Sequence, residues 1–142
     1  MFKKNLLGNK KKKILIVDDD DLHVDFLKRS LYELDLLLHR VKNIEKAKQV
    51  NYFEYDLILI DIEIENKKGI EFLKHLQIFQ VSQKIPVIVV SHLSDLELIE
   101  RSLALGAVDF IKKNLDNLEK LIKLLEKHLI HLDARDNRKL GW

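Results

Sequence analysis

The stretch LILIDIEIE, Leu57 to Glu65, runs four aliphatic residues straight into a carboxylate and then alternates Ile with Glu. A carboxylate at the rim of a core is costly to desolvate unless something compensates it. Asp61 therefore has two readings. Either the strand leaves the core there, with Asp61, Glu63 and Glu65 on its wet face, or Asp61 is held at a strand end because chemistry happens there. Neighbouring apolar runs favour the second. Asp18 and Asp19 follow ILIV (14–17), with Asp20 and Asp21 running on behind them; Ser91 follows VIVV (87–90), and Lys112 and Lys113 follow AVDFI (107–111). If these runs are strands of one parallel sheet, three carboxylates, a hydroxyl and an ammonium meet on the rim where such sheets bind ligands. That set offers oxygen ligands to a cation and donors to an anion.

The elements that must position these groups are legible as patterns. ILIV, LILI (57–60) and VIVV do not alternate with polar residues, the habit of strands buried on both faces of a helix-covered parallel sheet. LLLHRV (36–41) and AVDFI are weaker strand candidates. Between them, residues 21–34 place Leu27, Leu31 and Leu34 on one stripe, and Asn43 caps a short helix through Val50 with Ala47 inside. Ile70, Leu73, Leu76 and Phe79 recur at helical spacing after Gly69. SDLE (94–97) has capping-box form before Ile99 and Leu103, and Gly106 stops that helix. A last helix from near Asp116 carries Leu118, Leu121, Ile122, Leu125 and Leu129. Pro86, the single proline, opens a strand where its missing N–H does least harm. The order predicts βα repeated five times, wound into a three-layer α/β sandwich. We expect a basic arm over 1–11, one folded unit over 12–131 and a polar tail over 132–142.

Composition narrows the classes. A chain of 142 residues suits one domain, and 46% hydrophobic with 34% charged residues is an ordinary globular balance. Net charge is +2, so the molecule is no strong polyelectrolyte, and without cysteine there is no disulfide and no thiolate ligand or nucleophile. Apolar runs fall short of the roughly 18 residues that span a bilayer. No apolar signal-peptide region follows the lysine-rich start MFKKNLLGNKKKK, and a cytoplasmic location is expected. Lys3, Lys4 and Lys10 to Lys13 could touch nucleic acid or anionic lipid, but no aromatic residue is interleaved among them. A solvated lead-in is the expectation, with no nucleic-acid or membrane partner. His128 and His131 lack a third metal ligand, and His23, His39 and His75 are isolated; all five are expected at the surface or its boundary.

KILIVDDDD, YDLILIDIEIENKKG, IPVIVVS and GAVDFIKK, in that order and spacing, resemble the receiver (CheY-like) domain of bacterial two-component response regulators over residues 12–131. The resemblance implies a flavodoxin-like (βα)5 sandwich whose parallel five-stranded sheet has the order 2-1-3-4-5. It makes Asp61 the phosphoacceptor, attacking the phosphorus of a phosphohistidine on a sensor histidine kinase or histidine phosphotransfer protein to form an acyl phosphate. Asp18, Asp19, Asp61 and the backbone carbonyl of Glu63 would hold Mg2+ (or Mn2+), which offsets the negative charge. Without it the clustered carboxylates repel, and at least one pKa rises. Lys113, three residues after Phe110, would pair with phosphoryl oxygens, leaving Lys112 a surface neighbour, and Ser91 would hydrogen-bond the phosphoryl group. Ser91 moving toward that group would let Phe110 turn inward, altering the face made by the fourth helix, fifth strand and fifth helix. Phe110 as a fixed core aromatic is the plainer alternative. Leu98, Leu105, Leu124 and His128 make the same face a candidate homodimer surface. Such a domain is no enzyme in the ordinary sense, promoting only its own phosphorylation and dephosphorylation.

The sequence departs from the family in places. Asn114 stands where proline commonly follows the lysine, and a cis bond before asparagine costs about 3 kcal/mol, so a working but shifted lysine is expected. Glu65 takes a position often held by proline, predicting a more flexible loop after Asp61. Glu63 is unusually acidic, and its carboxylate is expected to influence the water that attacks the phosphoaspartate. His92 is bulkier than the residue common after Ser91, and either narrows access or sits exposed.

Two other readings compete. A pseudo-receiver would be a phosphorylation-independent protein-binding module of the same fold. A phosphatase or phosphotransferase with an aspartyl nucleophile would want a threonine-containing loop, and no Gly–Thr pair follows DIE. With a short polar tail after the last helix, no DNA-binding or enzymatic output is visible. The chain would act on an unidentified downstream protein, pass its phosphoryl group onward, or be a piece of a longer regulator.

Overall fold

Three uninterrupted aliphatic runs become the middle of the sheet. The computed structural model describes residues 11–93 and 95–139, with Leu115 and residues 130–139 described by backbone alone. Lys3, Lys4, Lys10, Ser94 and the side chain of His131 therefore lie outside the described residues. The strands are β1 (Lys12–Val17), β2 (Leu36–Val41), β3 (Leu57–Asp61), β4 (Val87–Ser91) and β5 (Asp109–Lys112), all parallel, in the order β2-β1-β3-β4-β5. Every residue of β3 and β4 is buried, as strands covered on both faces must be. The helices are α1 (Asp21–Ser30), α2 (Ile44–Ala47), α3 (Gly69–Ile78), α4 (Leu96–Ala104) and α5 (Leu118–Lys139), with short turns at Tyr52–Glu54, Ile64–Lys67 and Leu115–Asn117. No described helix is long and apolar enough to cross a membrane.

Period-two alternation splits the core between the two faces of the sheet. Leu15, Val17, Ile58, Ile60, Val87 and Val89 face Phe72, Leu73 and Leu76 of α3, with Leu98 of α4 packed at the margin. Ile14, Ile16, Leu57, Leu59, Ile88 and Val90 face Val24 and Leu27 of α1 and Leu121, Leu125 and Leu129 of α5. This is the expected three-layer sandwich with the expected strand order.

Several boundaries differ from the sequence reading. Helix α1 stops at Ser30, where Leu31 N donates to Leu27 O at 2.9 Å and Tyr32 N to Arg29 O at 3.5 Å, so Leu34 lies beyond the helix. Helix α2 is a single turn ending at Ala47. In α3 the buried stripe is Phe72, Leu73 and Leu76, whereas Phe79 is exposed because the chain turns sharply at Gln80 (φ 60°). Helix α4 is capped by Asp95, whose carboxylate accepts from Leu98 N at 2.8 Å, one residue later than the capping box predicts. Strand β5 starts at Asp109, because Ala107 and Val108 complete the turn from Gly106 (φ 103°). Helix α5 runs on to Lys139, so the expected boundary between residues 131 and 132 falls inside it.

One glycine ties α3 to the strand end. Gly69 N donates to Ile62 O at 3.1 Å, and a Cβ at position 69 would lie 2.5 Å from both Ile62 Cα and O. Glycine is the residue that permits so close an approach. Gly69→Ala is expected to lose about 1–3 kcal/mol of stability through overpacking against that backbone. A urea midpoint equal to that of the wild type would contradict the contact.

Candidate functional site

The carboxyl ends of β1, β3, β4 and β5 lie along one rim. Asp18, Asp61, Ser91 and Lys113 are buried there, at 2%, 5%, 0% and 6% exposure, while Asp19 and Lys112 are exposed. Asp18, Asp19 and Asp61 each bring one oxygen into a group whose members all lie within 4.8 Å of one another. Lys113 Nζ reaches into the same group, 3.3 Å from Asp18 Oδ2, 3.2 Å from Asp20 Oδ2 and 3.4 Å from Asp61 Oδ2. No cis peptide bond occurs among the described residues, so Lys113 arrives through a trans link to Asn114. The Asn114 side chain accepts from Asp116 N at 2.9 Å and starts the turn before α5. Phe110 is half-buried and packs against the same core cluster as Leu98 and Leu105.

Burial and crowding set the charges. Burial first, then the neighbouring Asp18 carboxylate, push the pKa of Asp61 up to about 6, against the opposing pull of the Glu63 N–H and Lys113. Burial also works against ionised Asp18, but hydrogen bonds from His23 and Asp20 N, with Lys113 nearby, hold its pKa below the usual carboxylate range. Burial disfavours the charged form of Lys113 too; Asp18 and Asp61 outweigh it and keep the ammonium charged. The donor set fits a hard divalent cation. It consists of carboxylate oxygens within 4.8 Å of one another, from one exposed and two buried aspartates. The Glu63 carbonyl, the fourth expected ligand, accepts from Lys67 N at 3.1 Å and has a second lone pair to offer.

Three residues around the rim do more than the sequence reading assigned them. His23 is a boundary residue as expected, but its Nδ1 hydrogen-bonds Asp18 Oδ2 at 2.9 Å. The signal lay in DDLH: Asp20 is the N-cap of α1, accepting from His23 N at 3.2 Å, and the third residue of a helix reaches back toward its cap. Of the other described histidines, His39 bonds the Tyr55 hydroxyl, His75 stacks among Tyr52, Phe72 and Phe79, and His128 faces Asp109 at 3.7 Å. His92 is exposed.

Glu65 ties the loop after Asp61 at two points. Its N–H donates to Asp19 Oδ2 at 3.2 Å and its carboxylate accepts from Ile44 N at 2.9 Å, spanning from the metal-ligand candidate to the start of α2. The anchoring is needed because Glu65, Asn66 and Lys67 are all left-handed, at φ 47°, 65° and 73°, which costs non-glycine residues about 1–2 kcal/mol each.

Glu63, two residues past Asp61, places its carboxylate at the end of β4. Oε1 accepts from Ser91 Oγ at 2.6 Å, His92 N at 2.5 Å and Leu93 N at 3.1 Å. Burial opposes its charge, but these bonds hold its pKa below the ordinary range.

The raised pKa of Asp61 is a statement about stability. A folded pKa above the ordinary 3.8 means that Asp61 stabilises the fold while protonated, and that this contribution is lost as pH rises through about 6. Asp61→Asn is therefore expected to stabilise the cation-free protein at about pH 8 by on the order of 2 kcal/mol, with the gain shrinking toward zero near pH 4. Thermal melts across that range check this, and a gain independent of pH would contradict it.

A family model described as the response regulator receiver domain matches residues 14–126. The transcriptional regulatory protein MalR of Bacillus subtilis (strain 168) is 41% identical over 58 residues, covering 41% of this chain and 24% of that protein. The transcriptional regulatory protein ZraR of Escherichia coli (strain K12) is 32% identical over 92 residues, 65% of this chain and 20% of that protein. The chain thus spans a quarter or less of the length of these relatives. Among solved structures, a two-component response regulator from Clostridium difficile superposes with a TM-score of 0.73 at 27% identity, covering 83% of this chain and 95% of that one. With this match over most of its length and the same sheet beneath it, the chain belongs to the response regulator receiver domain family.

Proposed function

We propose that Asp61 accepts a phosphoryl group from the phosphohistidine of a sensor histidine kinase or histidine phosphotransfer protein in the cytoplasm. The observation that carries this reading is a buried carboxylate at a rigid strand end, crowded by Asp18 and faced by the Lys113 ammonium. One oxygen of Asp61 attacks phosphorus and an O–P bond forms. The P–N bond to histidine breaks, and its electron pair leaves with the imidazole. Glu63 N–H, 3.0 Å from Asp61 Oδ1, orients the nucleophile. Lys113 Nζ, shared in this structure among Asp18, Asp20 and Asp61, is the donor available to a phosphoryl oxygen.

Asp18, Asp19, Asp61 and the Glu63 carbonyl would hold Mg2+ (or Mn2+), which supplies positive charge against the carboxylates and the incoming phosphoryl oxygens. His23 orients Asp18 for that task from outside the ligand set. The phosphorylated state is read out through Ser91 and Phe110 to the face formed by α4, β5 and α5, where a downstream protein or a second copy of the chain docks. The chemistry of the domain is confined to gaining and losing this one group.

Intact mass after incubation with Mg2+ and acetyl phosphate tests the reading. One added phosphoryl group is expected, lost in Asp61→Asn and absent under chelation. No adduct in a folded sample that binds Mg2+ would instead make the chain a phosphorylation-independent binding module. His23→Phe is expected to weaken Mg2+ binding about tenfold or more, as loss of a partner behind a metal ligand does. Titration calorimetry measures this, and unchanged affinity would remove His23 from the site.

A further inference from the structure

Glu63 touches the nucleophile and the switch hydroxyl at once. Its N–H holds Asp61 Oδ1 at 3.0 Å, while its Oε1 takes the Ser91 hydroxyl at 2.6 Å and the N–H groups of His92 and Leu93. Those three donors form an anion nest at the end of β4, and a carboxylate of the same chain fills it. We propose that Glu63 is a positioning residue for Ser91: its carboxylate occupies the donor that a phosphoryl group on Asp61 would recruit, and phosphorylation has to displace it. This rests on Asp61 being the phosphoacceptor.

Counting donors makes the two partners of Ser91 exclusive. Ser91 is fully buried, and its hydroxyl has one proton. Given to Glu63, that proton is not available to a phosphoryl oxygen, and a buried hydroxyl without an acceptor is costly. Ser91 therefore has two satisfied states and no comfortable state between them. Phosphorylation would add close to two negative charges on Asp61, whose Oδ1 lies 3.0 Å from Glu63 N, and so beside the Glu63 carboxylate. Like charges in a half-buried place repel, which drives the exchange toward release of Glu63. The released carboxylate has somewhere to go, because Glu63 lines the groove between α3 and α4 together with the exposed Lys67, Lys68 and Arg101. Leu93 lines the same groove, so the exchange moves a wall of it as well as freeing Ser91.

The test uses Glu63→Ala and Glu63→Gln, each also in a Ser91→Ala background. All of them keep the Glu63 backbone carbonyl. Amide NMR shifts of His92 and Leu93 report the nest, and mass after acetyl phosphate treatment reports the rate of phosphorylation. Unphosphorylated Glu63→Ala is expected to move both amides and to take up the phosphoryl group roughly tenfold faster, the scale of one hydrogen bond to a charged group. Glu63→Gln, which keeps an acceptor without the charge, falls between it and the wild type. In the Ser91→Ala background the gain from Glu63→Ala shrinks to the part that removing the charge alone supplies, the part Glu63→Gln also gives. Phosphorylating the wild type moves the same two amides. A wild type that takes up the group while both amides stay in place overturns the proposal. So does a Glu63→Ala protein altered only in phosphoryl lifetime, which returns Glu63 to the hydrolytic water. Absence of any adduct on the wild type is a separate result, defeating the phosphoacceptor reading and this one with it.

Discussion

Two carboxylates cannot both ionise side by side in a buried place without positive charge, and the whole strand-end rim is organised around that constraint. The sheet order makes β1 and β3 neighbours, so Asp18 and Asp61 emerge next to each other. Lys113 crosses to them from the far edge strand, and three aspartates share its one ammonium. The surrounding hydrogen bonds are unequal. Asp18 collects His23, Asp20 N and, at both oxygens, Lys113, whereas Asp61 has the Glu63 N–H and Lys113 at one oxygen. That inequality splits the two acids, holding one low and lifting the other. The lifted acid is the one whose charge has to be drawn out by a partner.

The outer layer of the site consists of loops that fasten the acids from behind. Arg40 of β2 donates to Asp18 O at 3.1 Å and also reaches Asp21, so the chain following β1 is pinned from its other neighbour in the sheet. Glu65 clasps Asp19 and the start of α2, and Gly69 presses α3 against Ile62. The acids are thus presented by a rigid sheet and steadied by loops whose own conformations are unfavourable in isolation.

How much of this was legible depended on whether the cause was local. LILI and VIVV read as doubly buried strands because unbroken aliphatic runs have few other uses, and β3 and β4 hold them with one further residue each, Asp61 and Ser91. LLLHRV matched β2 to the residue. AVDFI began two residues early and ended one short, because a half-exposed edge strand has no continuous run to mark where the turn after Gly106 ends. Phe79 fell on a helical period and still lies outside, since a left-handed Gln80 ends the helix regardless of the pattern before it. The acids at strand ends could be picked out by type and position. The partners of Glu63 could not, because Ser91 is 28 residues away and nothing in DIE says which way the side chain leaves. The Glu65 clasp is similar: an exposed-looking acid in an alternating stretch proved to cap a helix 21 residues earlier.

The backbone at two of these positions has a consequence for engineering. Moving an unusual residue toward the family's commonest choice is a standard stabilising strategy. Proline is a common occupant at the positions of Glu65 and Asn114, and a proline ring holds φ near −65°. Glu65 sits at φ 47° and Asn114 at φ −150°, so neither backbone accepts the ring, and at 65 the N–H that holds Asp19 would vanish as well. Here the family average is a misleading guide. Residues 65 and 114 each belong to a local solution in which side chain and backbone angle were fitted together, and importing one half of another member's solution would dismantle this one.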